Sequence, residues 1–241
     1  MSFLGGVDTS NGVVLDPECP LIGESVRGRI LCFPFGIGST VGSYAMYQLK
    51  LNKVAPRAII NQSAEPIVAT GAIMSEIPMV DNIDISLIAT GDRVAVNAAD
   101  GTVELRDVTE RHVVTSILRN RGRILILKRS DKVGSYRGSW AGVSGFVEKD
   151  ETYEEAARRE IVEETGLGKV RFSRMTPSRS FRDEDRVWTV HPFLFDVSSR
   201  KVSIDWEHDA YAWIVPDESK EYSTVPGLHA VIKNLLEPTN L

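Results

Sequence analysis

Cysteine is nearly absent: Cys19 and Cys32 are the only two in 241 residues. Two thiols cannot build a disulfide framework or a metal cage of their own, and such sparse use suits a reducing compartment. Each reads as a small buried hydrophobe. Long hydrophobic runs are missing too. No apolar stretch approaches the roughly 18–20 residues needed to cross a bilayer, and the opening MSFLGGVDTSNG lacks the charged region and apolar core of a signal peptide. The expectation is a cytoplasmic chain with no membrane partner. Positive charge is not in excess. Twenty-eight Lys and Arg against 33 Asp and Glu leave −5, which argues against a nucleic-acid polymer as partner. Internal repeats and low-complexity tracts are also absent. At 42% hydrophobic and 25% charged residues, the chain suits one large or two modest domains.

The first hundred residues hold short apolar runs between turn residues. Gly28–Phe33, Arg57–Ile60, Pro66–Ala69 and Asp92–Val96 read as buried strands. Gly42–Leu51 has the apolar spacing of a helix. Asp100-Gly101 is a turn signal between Val94–Val96 and Thr102–Leu105, so a small β-rich domain closed by a hairpin is expected. Within it, Gly36-Ile37-Gly38-Ser39-Thr40-Val41-Gly42-Ser43 follows a strand and precedes a helix. Such a loop either is a tight turn or offers N–H groups and hydroxyls to an anion. The short charged stretch Leu105–Arg111 marks the boundary, with domains at 1–106 and 107–241.

The second half is organised around Thr152–Leu167. Thr152 and Glu155 have capping-box spacing, and Gly166 stands where helices commonly end in a left-handed residue. Glu160, Glu163 and Glu164 then share one face of about one turn. A face rich in Glu and Arg is ordinarily just solvated. Three adjacent carboxylates repel, however, and a hard divalent cation such as Mg²⁺ would relieve them. Arg159 follows Glu151 by eight residues and can hold it if the turn folds back.

Around this helix, His112–Leu118 and Arg123–Lys128 read as strands joined at Asn120-Arg121-Gly122. Val170–Phe181, Val187–Val197 and Tyr211–Ile214 read as further strands, and Leu228–Leu236 as a last helix. The basic loop Arg129–Trp140 is either a surface loop or a clamp, with Arg129, Lys132 and Arg137 on phosphates and Tyr136 or Trp140 stacking on a flat group. Arg182–Arg186 reads as a solvated hairpin loop, or as a source of one further carboxylate near a metal. Glu207 and His208 are acid/base or substrate candidates, or equally capping and packing residues. His191 is expected to be a packed strand residue rather than a ligand.

Two resemblances cover nearly the whole chain. The run Gly145, five residues, Glu151, seven residues, Arg159-Glu160-Ile161, one residue, Glu163-Glu164, one residue, Gly166-Leu167 resembles the Nudix signature at every fixed position. The resemblance implies an α/β/α sandwich that uses Mg²⁺ or Mn²⁺ to hydrolyse a small diphosphate substrate, a nucleoside diphosphate linked to another group. It implies Glu160, Glu163 and Glu164 as metal-binding and catalytic carboxylates, Gly145 as a carbonyl donor, and Arg159 with Glu151 as a brace. Residues 2–105 resemble the small subunit of aconitase X type phosphomevalonate dehydratase of archaeal isoprenoid synthesis. The matching pieces are Phe3–Asp8, Gly23-Glu24-Ser25, Phe33–Gly36, the Gly38–Tyr44 loop, Ala55–Ile60 and Ala64–Ile67. That likeness implies a swivelling β/β/α domain that closes over a separate large subunit carrying an iron–sulfur cluster. It gives Ser39 the acid/base role, with Thr40 and Ser43 as neighbouring alternatives.

The expectation is therefore an α/β (α+β) chain acting as a Mg-dependent Nudix diphosphohydrolase. The alternative is a dehydratase small subunit, part of a lyase, with the Nudix half as regulator or passenger.

Overall fold

The chain was studied as a computed structural model that describes residues 1–237. It divides into two units, Met1–Val108 and a second from Thr109 onward. In the first, short apolar runs become β1 (Ile30–Phe33), α1 (Val41–Leu51), β2 (Ala58–Asn61), α2 (Pro66–Met74) and β3 (Met79–Val80). The sheet is parallel in the order β1-β2-β3. All of β2 is buried, as a central parallel strand requires. The hairpin β4 (Val94–Asn97) and β5 (Thr102–Leu105) pairs Asn97 with Thr102 across the turn, with Gly101 at φ 68°.

One expectation fails here. Pro66–Ala69 is not a strand but the first turn of α2. A short apolar run has no periodicity to separate strand from buried helix. Proline at the first helical position needs no N–H and already has helical φ, and that decides the outcome. Gly71 lets α2 lie close on α1, since a Cβ there would overlap the Met46 sulfur. The core of this unit gathers Phe3, Leu31, Phe33, Met46, Leu49 and Ile59.

The second unit runs β6 (Thr109–Asn120), β7 (Arg123–Arg129), β8 (Trp140–Ala141), β9 (Val143–Phe146), α3 (Tyr153–Thr165), β10 (Val170–Met175), β11 (Arg179–Asp183), β12 (Arg186–Val197), β13 (His208–Ile214) and α4 (Leu228–Leu236). Its sheet has the order β10-β12-β6-β7-β13, with β11 on β12, β8 on β7 and β9 on β6. Arg121 and Gly122 both take positive φ, 47° and 76°, the requirement of a two-residue hairpin turn that follows strand twist. The strand expected over Val170–Phe181 is two strands, β10 and β11, with Pro177 between them, because proline has no N–H to donate to the ladder.

Side chains alternate across β12. Phe193, Phe195 and Val197 pack with Ala156, Ala157 and Ile161 of α3, while Leu194 packs with Leu228, Ile232 and Leu235 of α4. The result is helix on both faces of a mixed sheet, an α/β/α sandwich. No helix among the described residues is long and apolar enough to cross a membrane.

All four tryptophans lie in this unit, so their fluorescence reports its unfolding. Phe195 is fully buried, and Phe195→Ala should lower the unit's stability by about 3–5 kcal/mol. Urea unfolding followed by tryptophan emission checks this, and an unchanged midpoint would contradict the packing described.

Candidate active site

Local sequence fixes α3 at both ends. Thr152 Oγ1 accepts from the Glu155 N–H at 3.3 Å and the Thr152 N–H donates back to Glu155 at 2.9 Å, a complete capping box. Gly166 ends the helix at φ 69°. With those stops, and with Ala156, Ala157 and Ile161 turned to the sheet, Glu160 and Glu164 lie along the flank that meets β9.

Arg159 ties the loop before the helix to the helix itself. Its guanidinium donates to both oxygens of Glu151, each at 3.0 Å, to Glu160 at 2.7 Å, to Glu163 at 3.2 Å and to the Phe146 carbonyl at 3.0 Å. The bond from Arg159 holds Glu151 below the usual carboxylate range. This is the brace expected of the pair.

The carboxylates differ in surroundings. Glu163 is largely exposed. Glu160 is mostly covered, and burial raises its pKa against the opposing pull of Arg159. Its carboxylate fills the space beside Gly145, where a Cβ would overlap it. Glu164 is buried. One oxygen accepts from the Ser144 N–H at 3.2 Å, and the other, Oε2, has no hydrogen-bond partner. Desolvation first, then the negative charges of Glu160, Asp205 and Glu207, push the Glu164 pKa well up. His208 Nε2 stands 3.6 Å from Oε2, and His208 Nδ1 is 2.8 Å from Asp205.

Among the described residues no three His, Cys, Asp or Glu side chains are already gathered as a metal cage. The chemistry of the set still fits a hard divalent cation. The donors are oxygens, one buried oxygen is orphaned, and like charges converge on it. Glu207 joins this cluster, while Asp205 was missed by sequence reasoning because nothing in its local pattern marks it.

The basic loop lies beside this cluster. Arg129 ends β7 directly opposite His208 in the antiparallel ladder. Arg129 Nε donates to the Ser135 carbonyl at 3.0 Å and Arg137 Nε to the Val133 carbonyl at 2.8 Å, so both guanidiniums shape the loop through one nitrogen. Ser130 staples the loop to the Asp205–Glu207 turn through its N–H to Glu207 O at 2.7 Å and its hydroxyl to Trp206 O at 3.1 Å. Tyr136 is exposed. Trp140 instead packs edge-on against Tyr222 and the α4 core, which takes it out of the stacking role considered for it.

Sequence reasoning also missed an aromatic pair next to Gly145. Phe146, 56% exposed, lies 5.8 Å from Trp188, centroid to centroid. The signal was available only as two aromatics far apart in the chain. His191 is a packed strand residue, stacked on Tyr153 at 3.6 Å with a ring nitrogen 3.0 Å from His112. A cleft of about 610 Å³ runs along Phe146, Glu148, Glu151 and Tyr153. It does not include Glu160, Glu163 or Glu164, so the chemistry is located by the donor set and not by concavity.

In the first unit Ser39 and Thr40 are exposed on the loop before α1, and Gly38 takes φ 128°. Ser43 is buried and donates to the Ile67 carbonyl at 2.8 Å. Of the three hydroxyls it alone is committed to packing. The loop is rimmed by exposed Phe35, Ile37, Val41 and Tyr44.

Comparison with known proteins bears on both units. The aconitase X swivel domain profile matches residues 1–105, and the NUDIX domain profile matches residues 109–235. The chain is 57% identical over 107 residues to the phosphomevalonate dehydratase small subunit of Thermococcus gammatolerans, covering 44% of this chain and 82% of that protein. The crystal structure of Thermococcus kodakaraensis aconitase X in its holo-form matches at 57% identity and TM-score 0.43, over 44% of this chain and 80% of that chain. For the second stretch, the crystal structure of the MutT protein from Methanosarcina mazei matches at 24% identity and TM-score 0.47, over 54% of this chain and 94% of that chain.

Two predictions follow from the carboxylates. Gly145→Ala should displace Glu160 and lower any turnover at this site by on the order of 10²-fold, while the melting temperature followed by tryptophan emission moves little. Burial makes the folded chain hold the Glu164 proton more tightly than the unfolded chain does. That stability is present below the ordinary value of 4.5 and is lost as pH rises through the raised value. The metal-free protein should therefore show a loss of melting temperature with rising pH that is smaller in Glu164→Gln. Parallel curves for the two proteins would refute it.

Proposed function

We propose, for a chain that belongs to the Nudix family through residues 109–235 and to the aconitase X swivel family through residues 1–105, that its second unit hydrolyses a small diphosphate metabolite. The observation carrying this reading is Glu164. Its buried oxygen, without a hydrogen bond, lies among other carboxylates, an oxygen-rich arrangement that suits a hard cation. Glu160, Glu163 and Glu164, with the Gly145 carbonyl, would hold Mg²⁺ or Mn²⁺. Such an ion, when bound, polarises a phosphoanhydride and lowers the pKa of a water.

The chain's own groups supply the rest. Arg159 keeps the Gly145–Glu151 loop against α3. Arg129 and Arg137 would contact phosphate oxygens through the guanidinium nitrogens not spent on the loop. Phe146 and Trp188 offer a face to a flat group, which favours a nucleoside diphosphate-linked compound or a related diphosphate.

A second reading concerns the first unit and is compatible with the first. Its likeness to a dehydratase small subunit supports a hydro-lyase role in isoprenoid synthesis, with Ser39 as acid/base and a large subunit as partner. The exposed apolar rim around Ser39 is the observation that favours it. Cys19 and Cys32 are too few to hold an iron–sulfur cluster, so any cluster would belong to the large subunit. Co-purification with such a subunit, and loss of dehydration in Ser39→Ala, are the results this reading requires.

The hydrolase is tested by nucleotide or phosphate release from nucleoside diphosphate sugars, ADP-ribose, dinucleoside polyphosphates, oxidised dNTPs and prenyl diphosphates. One class should be turned over with Mg²⁺ and not with EDTA. In Glu164→Gln kcat should fall by on the order of 10²-fold. Turnover equal to wild type in that variant would refute the assignment.

A further inference from the structure

We propose that His208, braced by Asp205, is a positioning residue for Glu164, fixing the buried carboxylate in the orientation in which it meets a divalent cation. The proposal rests on the reading of Glu164 as a metal-holding group. Both partners are out of water: the side chains of His208 and Glu164 are 2% and 5% exposed. Asp205 accepts from Nδ1 at 2.8 Å, which sets the ring orientation and turns Nε2 toward Glu164 Oε2 at 3.6 Å. That oxygen has no hydrogen-bond partner of its own.

Asp205 is itself held. The same carboxylate oxygen accepts from the Glu207 N–H at 3.2 Å, and Ser130 clamps the turn at Trp206 and Glu207. A histidine needed only to fill the start of β13 would be satisfied by Asp205 alone. Here its second nitrogen faces Glu164 Oε2, a buried oxygen with no hydrogen bond, across 3.6 Å. A carboxylate oxygen has two lone pairs, so one turned to His208 leaves the other for a cation. The Glu164–His208–Asp205 chain joins α3 to β13, and the residues come together only in the fold. Carboxylate–histidine pairs behind metal ligands commonly set ligand orientation in this way.

The test uses the full chain. Mn²⁺ binding to metal-free protein is followed by the free-ion EPR signal for wild type, His208→Ala, His208→Gln, Asp205→Asn and Glu164→Gln, with tryptophan emission confirming the fold. We expect His208→Ala to weaken Mn²⁺ by about 10–100-fold. His208→Gln, which restores a polar group at similar reach, should recover most of the loss, and Asp205→Asn should fall between. In turnover the His208→Ala loss should sit in kcat with KM little changed.

Wild-type Mn²⁺ affinity in His208→Ala, or in Asp205→Asn should the alanine variant not fold, would overturn the positioning role while Glu164→Gln still binds poorly. Equal binding by wild type and Glu164→Gln would overturn the metal reading of Glu164 and this proposal with it. A His208→Gln protein as impaired as His208→Ala would reject positioning by a polar group at that place.

Discussion

The guanidinium of Arg159 is the contact on which the second unit's site depends. It lies among Glu151, Glu160 and Glu163 and also caps the Phe146 carbonyl. Its two-point bond to Glu151 uses the planar fork that lysine lacks. A point charge could neutralise these groups but could not hold the Phe146–Glu151 loop at a fixed angle to α3. Position follows from that bond. The loop carries Gly145 past Glu160, and the absence of a Cβ there lets the carboxylate approach the backbone. Remove the guanidinium and the loop, the glycine cradle and the carboxylate face lose their common reference.

Arg159 does not reach Glu164. That residue lies one turn deeper, served by a single N–H and by His208, with Glu160, Asp205 and Glu207 adding negative charge around it. The electrostatics therefore come in two tiers. At the rim, the single guanidinium of Arg159 offsets part of the charge of Glu151, Glu160 and Glu163. In the interior, carboxyl groups crowd about Glu164 with one imidazole beside it. Burial and these neighbours make the Glu164 carboxyl of the metal-free protein hold its proton more tightly than in the unfolded chain. This crowding of carboxyl oxygens is the physical content behind the metal reading.

Much of this was legible in the sequence because it is local. The Thr152–Glu155 capping box, the left-handed Gly166 and the turn at Arg121-Gly122 each depend on residues within four positions of one another, and the chain folds as their spacing dictates. The Pro66 segment was misread because four apolar residues carry no usable period, and the deciding cue was the position of the proline. The break falls at Thr176-Pro177-Ser178, where a residue unable to donate to the ladder sits between polar neighbours. What lay beyond local reading was the meeting of Glu164 with His208 and Asp205. About 40 residues and three strands separate them, and only the placement of β13 beside β7, whose Arg129 faces His208, brings the turn to α3. Phe146 and Trp188 meet through the same kind of long-range pairing.

The two units differ in how complete their chemistry is. The second gathers carboxylates, cationic side chains and a buried imidazole within one fold. The first presents Ser39 on an exposed loop where, among the described residues, no side chain bonds its hydroxyl, while the neighbouring Ser43 is spent on packing. A hydroxyl is a weak base at its free pKa and needs an activating group beside it. The exposed Phe35, Ile37, Val41 and Tyr44 around the loop are apolar surface of the kind that marks an interaction site. One chain thus joins a site that assembles its own charges to one that supplies a single hydroxyl on an apolar rim.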